Sequence, residues 1–163
     1  MLGHWGAFFL GGSTFIAGTT VLFFPDIPQY MSISAALYTV GSLGFLMVDV
    51  MEFFTFTDDL WLRTNIACSM SGSLAYVIGS IGFFPSIYEQ TSEIGIWGFI
   101  LGSLLIGLWQ LWILHRIGTD SPRQLQAKFK VSNLCGGLEP LTAFGVEFNA
   151  CLGAWLFLVG TIM

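Results

Sequence analysis

The fold of this chain is decided by residues 72–80, Gly-Ser-Leu-Ala-Tyr-Val-Ile-Gly-Ser. A small residue is followed four positions later by an aromatic residue, and seven and eight positions later by Gly and then Ser or Thr. The same pattern occurs in residues 11–19, 34–42, 95–103 and 153–161. Because these offsets lie on one face of a helix, the sequence predicts five helices of one type. Each carries a stripe of small residues with one aromatic side chain.

The composition is that of a membrane protein. Hydrophobic residues make up 55% of the chain, charged residues only 9%, and the mean hydropathy is +0.78. A soluble domain carries roughly 25% charged residues. The net charge of −5 does not suggest a nucleic-acid partner, since such a partner would need a basic patch.

Five apolar runs, at 6–24, 31–54, 66–84, 94–114 and 144–163, are long enough to cross a bilayer. Phe-Phe-Pro ends the first and the third, and proline cannot continue the preceding helix. We therefore predict an all-α, polytopic integral membrane protein with five transmembrane helices, arranged as two and a half hairpin repeats. The predicted parts are a first hairpin repeat (1–56), a second hairpin repeat (57–116), an inner-side basic loop (117–143) and a fifth transmembrane helix (144–163).

Basic residues set the predicted orientation. All five lie on the side of the N-terminus and of the 57–65 and 115–143 loops: Arg63, Arg116, Arg123, Lys128 and Lys130. The positive-inside rule then places the N-terminus inside and the C-terminus outside. The expected location is a bacterial inner membrane, or an inner or thylakoid membrane of an organelle.

Residues 65–116 resemble a YrhK-like domain, a two-helix membrane unit of proteins of unknown function. The resemblance lies in residues 79–85, Gly-Ser-Ile-Gly-Phe-Phe-Pro, and in residues 98–103, Gly-Phe-Ile-Leu-Gly-Ser. Residues 6–56 resemble a more divergent copy, and residues 146–163 resemble the first half of another. The resemblance implies no catalytic residues.

The small-residue stripes predict close helix packing. In lipid, helices associate through van der Waals contact and interhelical hydrogen bonds, and both favour Gly, Ser and Thr. The alternative is a pore or cleft lined by these residues. The predicted packing glycines are Gly11, Gly18, Gly41, Gly72, Gly79, Gly98, Gly102, Gly153 and Gly160.

Three carboxylates lie near the inner ends of the spans. Asp49 and Glu52 share a face of the second span, and Glu147 begins the fifth. We expect them at head-group level in water, with ion pairing to Arg63 or Arg116 and a transport role as the alternatives. In the second repeat Gln110 and Ile113 stand in place of Asp49 and Glu52.

Cofactor ligands are sparse. His4 and His115 are weak candidates for binding haem or a pigment, and a head-group or capping position is expected instead. The cysteines, Cys68, Cys135 and Cys151, show no CxxC spacing. The sequence predicts no metal site, no catalytic residue and no cofactor other than bound lipids.

These features favour a non-enzymatic subunit, accessory or structural, within a larger membrane complex of respiratory or photosynthetic type. Its expected partners are other transmembrane subunits and lipids, in a homo- or hetero-oligomer. A self-assembling channel or transporter is the alternative, and a pigment- or haem-binding subunit is the third possibility.

Overall fold

The computed structural model describes residues 2–55, 60–119, 128–134 and 137–163, without the side chains of residues 2–5 and of Glu139. Of the described residues 87% are helical, and they form no strands, which confirms the all-α prediction. The elements are α1 (Leu2–Leu22), α2 (Tyr30–Thr55), α3 (Leu60–Gly82), α4 (Pro85–Tyr88), α5 (Ser92–Ile117), α6 (Val131–Leu134) and α7 (Leu138–Ile162).

Among the described residues, three helices are long and apolar enough to cross a membrane: Tyr30–Thr55, Ser92–Ile117 and Pro140–Ile162. The apolar part of α1, Gly6–Leu22, is shorter. The sequence of α3 contains Arg63, Asn65 and several serines, which lower its hydropathy although it is 23 residues long. The structure is thus consistent with the prediction of a membrane protein. By length and composition, it supports three of the five predicted spans.

The 117–143 loop is shorter than the sequence predicts. Gly137 precedes α7, which begins at Leu138 rather than at 144 and has Pro140 in its first turn, a position that tolerates proline. Before it, Phe129 forms an isolated antiparallel bridge with Thr119, and α6 follows.

The chain divides into two compact units, Met1–Gly102 and Ser103–Met163, with the border inside α5. In the first unit neighbouring helices run antiparallel. A side chain at Gly18 would meet Tyr38, whereas one at Gly11 would meet Phe45. Likewise α3 pairs with the first part of α5, since a Cβ at Gly98 would lie 2.5 Å from the Gly79 Cα.

The aromatic residues of four stripes meet in the first unit. Phe15 of α1 lies 5.2 Å from Tyr38 of α2 and 5.9 Å from Tyr76 of α3, measured between ring centroids. Phe99 of α5 lies 5.7 Å from Tyr38 and 5.6 Å from Tyr76. We call these four rings the aromatic cluster. Four of the five copies of the pattern thus supply one ring each to a common core.

In the second unit, α7 packs on the later part of α5. A Cβ at Gly107 would lie 3.0 Å from Trp155, and the Cys151 thiol donates to the Gly107 carbonyl at 3.9 Å. The buried residues of α7, Cys151, Ala154 and Leu158, recur at helical spacing on this face. Gly153 and Gly160 lie on a different side of α7 from this face, whereas Thr161 borders it.

Candidate functional site

The main polar feature of the first unit is a carboxylate between α2 and α3. Asp49, in the last two turns of α2, is only 8% exposed. Ser69 donates to its Oδ1 at 2.9 Å, and Ser73 donates to its Oδ2 at 2.5 Å. The structure therefore differs from the expectation of a water-exposed carboxylate. The α2 helix turns Asp49 towards α3, where hydroxyl groups replace water.

Asn65 lies one helical turn before Ser69 on the same face of α3. It is 4% exposed, and its Oδ1 has no hydrogen-bond partner. Arg63 does not pair with Asp49 as one alternative predicted: its guanidinium lies over the Phe53 ring, 4.8 Å from the centroid. Glu52 is half-buried on the α2 face that carries Asp49.

Further hydroxyl groups join the helices of the first unit. The Ser42 and Ser80 hydroxyls, both fully buried, lie 3.0 Å apart, and each can also donate to the carbonyl four residues earlier. Ser34 donates to the Gly18 carbonyl at 3.0 Å. Such bonds satisfy polar groups where no water is present, so these serines hold helices together.

Most of the predicted packing glycines lie at helix contacts. A Cβ at Gly11, Gly18, Gly41, Gly79, Gly98 or Gly102 would approach a neighbouring helix to between 2.5 and 3.2 Å, and the atom nearest a Cβ at Gly102 would be the Gly72 carbonyl oxygen. Gly153 and Gly160 differ, because a Cβ at either would meet no described atom within 4 Å. The physical reason is that α7 packs through its Cys151–Leu158 face, which leaves Gly153 and Gly160 on a different side of the helix.

The remaining candidates are separate from this site. His115 is half-buried and stacks on Trp112, 5.7 Å between ring centroids. His4 falls in the first turn of α1, but its side chain lies outside the described part. Glu147 is half-buried in α7. Cys135 and Arg123 also fall outside the described residues. Within the described ranges, no group of three His, Cys, Asp or Glu residues could hold a metal ion.

A cavity of about 150 Å³ lies in the first unit at the ends of α1 and α2 nearest the first proline turn. Its lining is mostly apolar and aromatic, with Ser34 and Tyr38 as polar members. It lacks the convergent charged groups typical of a catalytic pocket. The lining residues are Leu22, Tyr30, Met31, Ser34, Ala35, Tyr38, Phe83 and Tyr88.

Sequence reasoning identified Asp49 but missed its partners. Asn65, Ser69 and Ser73 recur every four residues inside an apolar run, which places them on one face of α3. That spacing was a usable signal for a polar seam. The sequence gives no signal for which helix faces this seam, because the seam could have faced α2, α5 or another protein.

The comparisons with known proteins concern the second repeat. Residues 61–108 match the family model described as YrhK-like protein. Comparison with curated proteins and with solved structures gives no significant match. The matched segment covers α3 from its second residue, α4 and most of α5. The chain therefore contains a YrhK-like segment at residues 61–108, which confirms the resemblance that the sequence predicted for residues 65–116.

Proposed function

We propose that this protein is a non-enzymatic subunit of a larger membrane complex, of respiratory or photosynthetic type, and that it associates with a partner helix through the α7 stripe. The observation that carries the proposal is the difference between the five copies of the pattern. Three stripes lie within the first unit, and the fourth, on α5, ends at its border. All four pack against neighbouring helices. On α7, a Cβ on Gly153 or Gly160 would meet no described atom within 4 Å.

Packing inside the protein supports a helical occupant for this stripe. Gly79 and Gly98 let α3 and α5 approach so closely that a Cβ on Gly98 would touch the Gly79 backbone. A partner helix with the same small residues would fit α7 in the same way, because small-residue faces allow close helix approach in lipid. The proposed occupant is a transmembrane helix of another subunit.

The non-enzymatic part of this proposal is supported by four hydroxyl groups that lie outside the contact between Asp49, Ser69 and Ser73. Ser13, Thr20, Ser71 and Thr161 each donate to the carbonyl four residues earlier. A hydroxyl nucleophile needs a general base within hydrogen-bond reach. These hydroxyls serve their own helices instead, as is typical of serine and threonine in transmembrane segments.

The proposed topology has five spans, with the N-terminus inside and the C-terminus outside. The 21 residues of α1 and the 23 residues of α3 would extend about 30 Å or more at 1.5 Å per residue. That length is enough to cross the hydrocarbon core. Both helices also run antiparallel beside α2, which is itself long and apolar enough to span.

Cysteine labelling tests this topology. In a variant without the native cysteines, we expect a membrane-impermeant thiol reagent added to intact cells to label Glu89→Cys and not Lys128→Cys. Positive residues are retained on the inner side during insertion. Permeabilised cells provide the control, in which both positions should react. Labelling of Lys128→Cys alone in intact cells would reverse the orientation.

Isolation from native membranes in mild detergent tests the proposed function. We expect the wild type to migrate with other membrane subunits, and the double variant Gly153→Leu, Gly160→Leu to migrate without them. Two leucines would hold a partner helix away from α7, while the Cβ of each would meet no described atom of the protein itself within 4 Å. Circular dichroism should show unchanged helix content.

The matched control is Gly145→Leu. Gly145 also lies on α7 with no described atom near its would-be Cβ, but it is outside the nine-residue stripe. We expect this variant to keep its partners. A wild type that migrates alone would contradict the proposal. Co-isolation of two differently tagged copies, without other proteins, would favour the self-assembling channel or transporter.

A further inference from the structure

In the second unit, residues 128–134 form a short segment that is fixed to the end of α5. The Lys130 N–H donates to the Gly118 carbonyl at 2.8 Å, and the Asn133 side chain donates to the same carbonyl at 3.2 Å. The Phe129 ring lies against Gly118, where a Cβ would collide with it. These backbone and ring contacts hold the segment in place without using the lysine ammonium groups.

The position of Phe129 decides where the neighbouring lysines point. Side chains alternate between the two sides of an extended segment, so Lys128 and Lys130 lie on the side opposite to the Phe129 ring. That ring points towards α7, where its centroid lies 6.4 Å from that of Phe144. Both lysines are exposed. We call Lys128 and Lys130 the lysine pair, which the segment presents on one side.

The lysine pair lies between the ends of two apolar helices. The α5 helix ends at Ile117, and the apolar part of α7 begins at Pro140. The segment therefore connects these helices at the end where both would leave the hydrocarbon core. Val131 is 65% exposed and Leu138 is 83% exposed. Basic residues beside exposed apolar side chains are typical of segments that bind the interface of a membrane.

We propose that the lysine pair binds the phosphate groups of anionic phospholipids in the leaflet at this end of the protein. Residues 116–138 contain four basic residues and one acidic residue, Asp120, so the segment complements a negatively charged surface. Each ammonium group can donate to phosphate oxygens, and the long lysine stem lets it reach head-group level. The lysine pair is separate from the α7 stripe, so its test does not depend on the proposed partner helix.

Thermal unfolding of the purified full-length chain in detergent tests the proposal. Phosphatidylglycerol is compared with phosphatidylcholine of the same acyl chains, so that only the head group differs. A ligand that binds the folded state raises Tm in a saturable manner. We expect phosphatidylglycerol to raise the wild-type Tm at a lower concentration than phosphatidylcholine does. The double variant Lys128→Gln, Lys130→Gln should need roughly five times more phosphatidylglycerol for each lysine removed.

The matched control is Lys128→Arg, Lys130→Arg, which keeps both positive charges and should keep the wild-type response. Added NaCl should weaken the wild-type response, because salt screens exposed charges. Inorganic phosphate at the same concentration should leave the Tm unchanged, which separates a lipid head group from free phosphate. Native mass spectrometry counts the phosphatidylglycerol molecules that each variant retains, and this count does not depend on thermal stability.

Equal Tm responses of the wild type to the two lipids would overturn the proposal. So would a double glutamine variant that keeps the wild-type response and retains as many phosphatidylglycerol molecules. A rise in Tm with inorganic phosphate as large as that with phosphatidylglycerol would also contradict it. Loss of co-migrating subunits by the double glutamine variant, with an unchanged lipid response, would mean that the lysine pair binds an acidic segment of a partner instead.

Discussion

Gly98→Leu should prevent α3 and α5 from packing and so abolish the folded state in detergent. A Cβ at position 98 would lie 2.5 Å from the Cα and 2.6 Å from the nitrogen of Gly79, and 2.9 Å from the Ala75 carbonyl oxygen. All three are backbone atoms, which cannot rotate out of the way. Overpacking of a core costs about 1–3 kcal/mol where side chains can adjust, and we expect more here.

The control for this variant is Gly12→Leu. Gly12 is next to the stripe residue Gly11, but a Cβ there would meet no described atom within 4 Å. We expect it to unfold at the wild-type temperature and to elute as a single species in size-exclusion chromatography. Gly98→Leu should aggregate or lose its thermal transition. A Gly98→Leu protein with the wild-type Tm would show that α3 and α5 do not approach as described.

The stripe pattern predicted which face of each helix packs, but not against what. Offsets of four and seven residues define a face from the sequence alone. The stripes containing Gly41 and Gly79 proved to face α1 and α5, and a small-residue face would accept any helix equally well. For the same reason the α7 stripe could be predicted as a packing surface, although within its own unit α7 uses another face.

The polar seam shows a second limit of sequence reasoning. Asp49 was recognisable as an unusual carboxylate, but its position near a helix end suggested contact with water. Only the pairing of α2 with α3 brings Ser69 and Ser73 to it. Conversely, the residues that satisfy Asp49 lower the hydropathy of α3, so that hydropathy alone marks it less clearly than α2.

The aromatic cluster provides the second large expected effect, through Phe99→Ala. Phe99 is 3% exposed, and its ring contacts Tyr38, Tyr76 and Phe83 at centroid distances of 5.7, 5.6 and 5.0 Å. It also fills the space before Gly79, where a Cβ would lie 2.9 Å from its Cδ1. Truncation would thus open a cavity where the stripes of three helices meet.

We expect Phe99→Ala to destabilise the protein by about 3–5 kcal/mol, the range for loss of a buried phenylalanine. In lipid there is no hydrophobic driving force between helices. Much of this loss therefore comes from the missing van der Waals and ring contacts. Unfolding in a denaturing detergent, followed by circular dichroism, measures it. Leu101→Ala, on the same helix but 50% exposed, is the control and should change the free energy of unfolding by less than about 1 kcal/mol. Equal effects of the two substitutions would mean that the four rings do not form a common core, and that the repeated aromatic residue faces lipid.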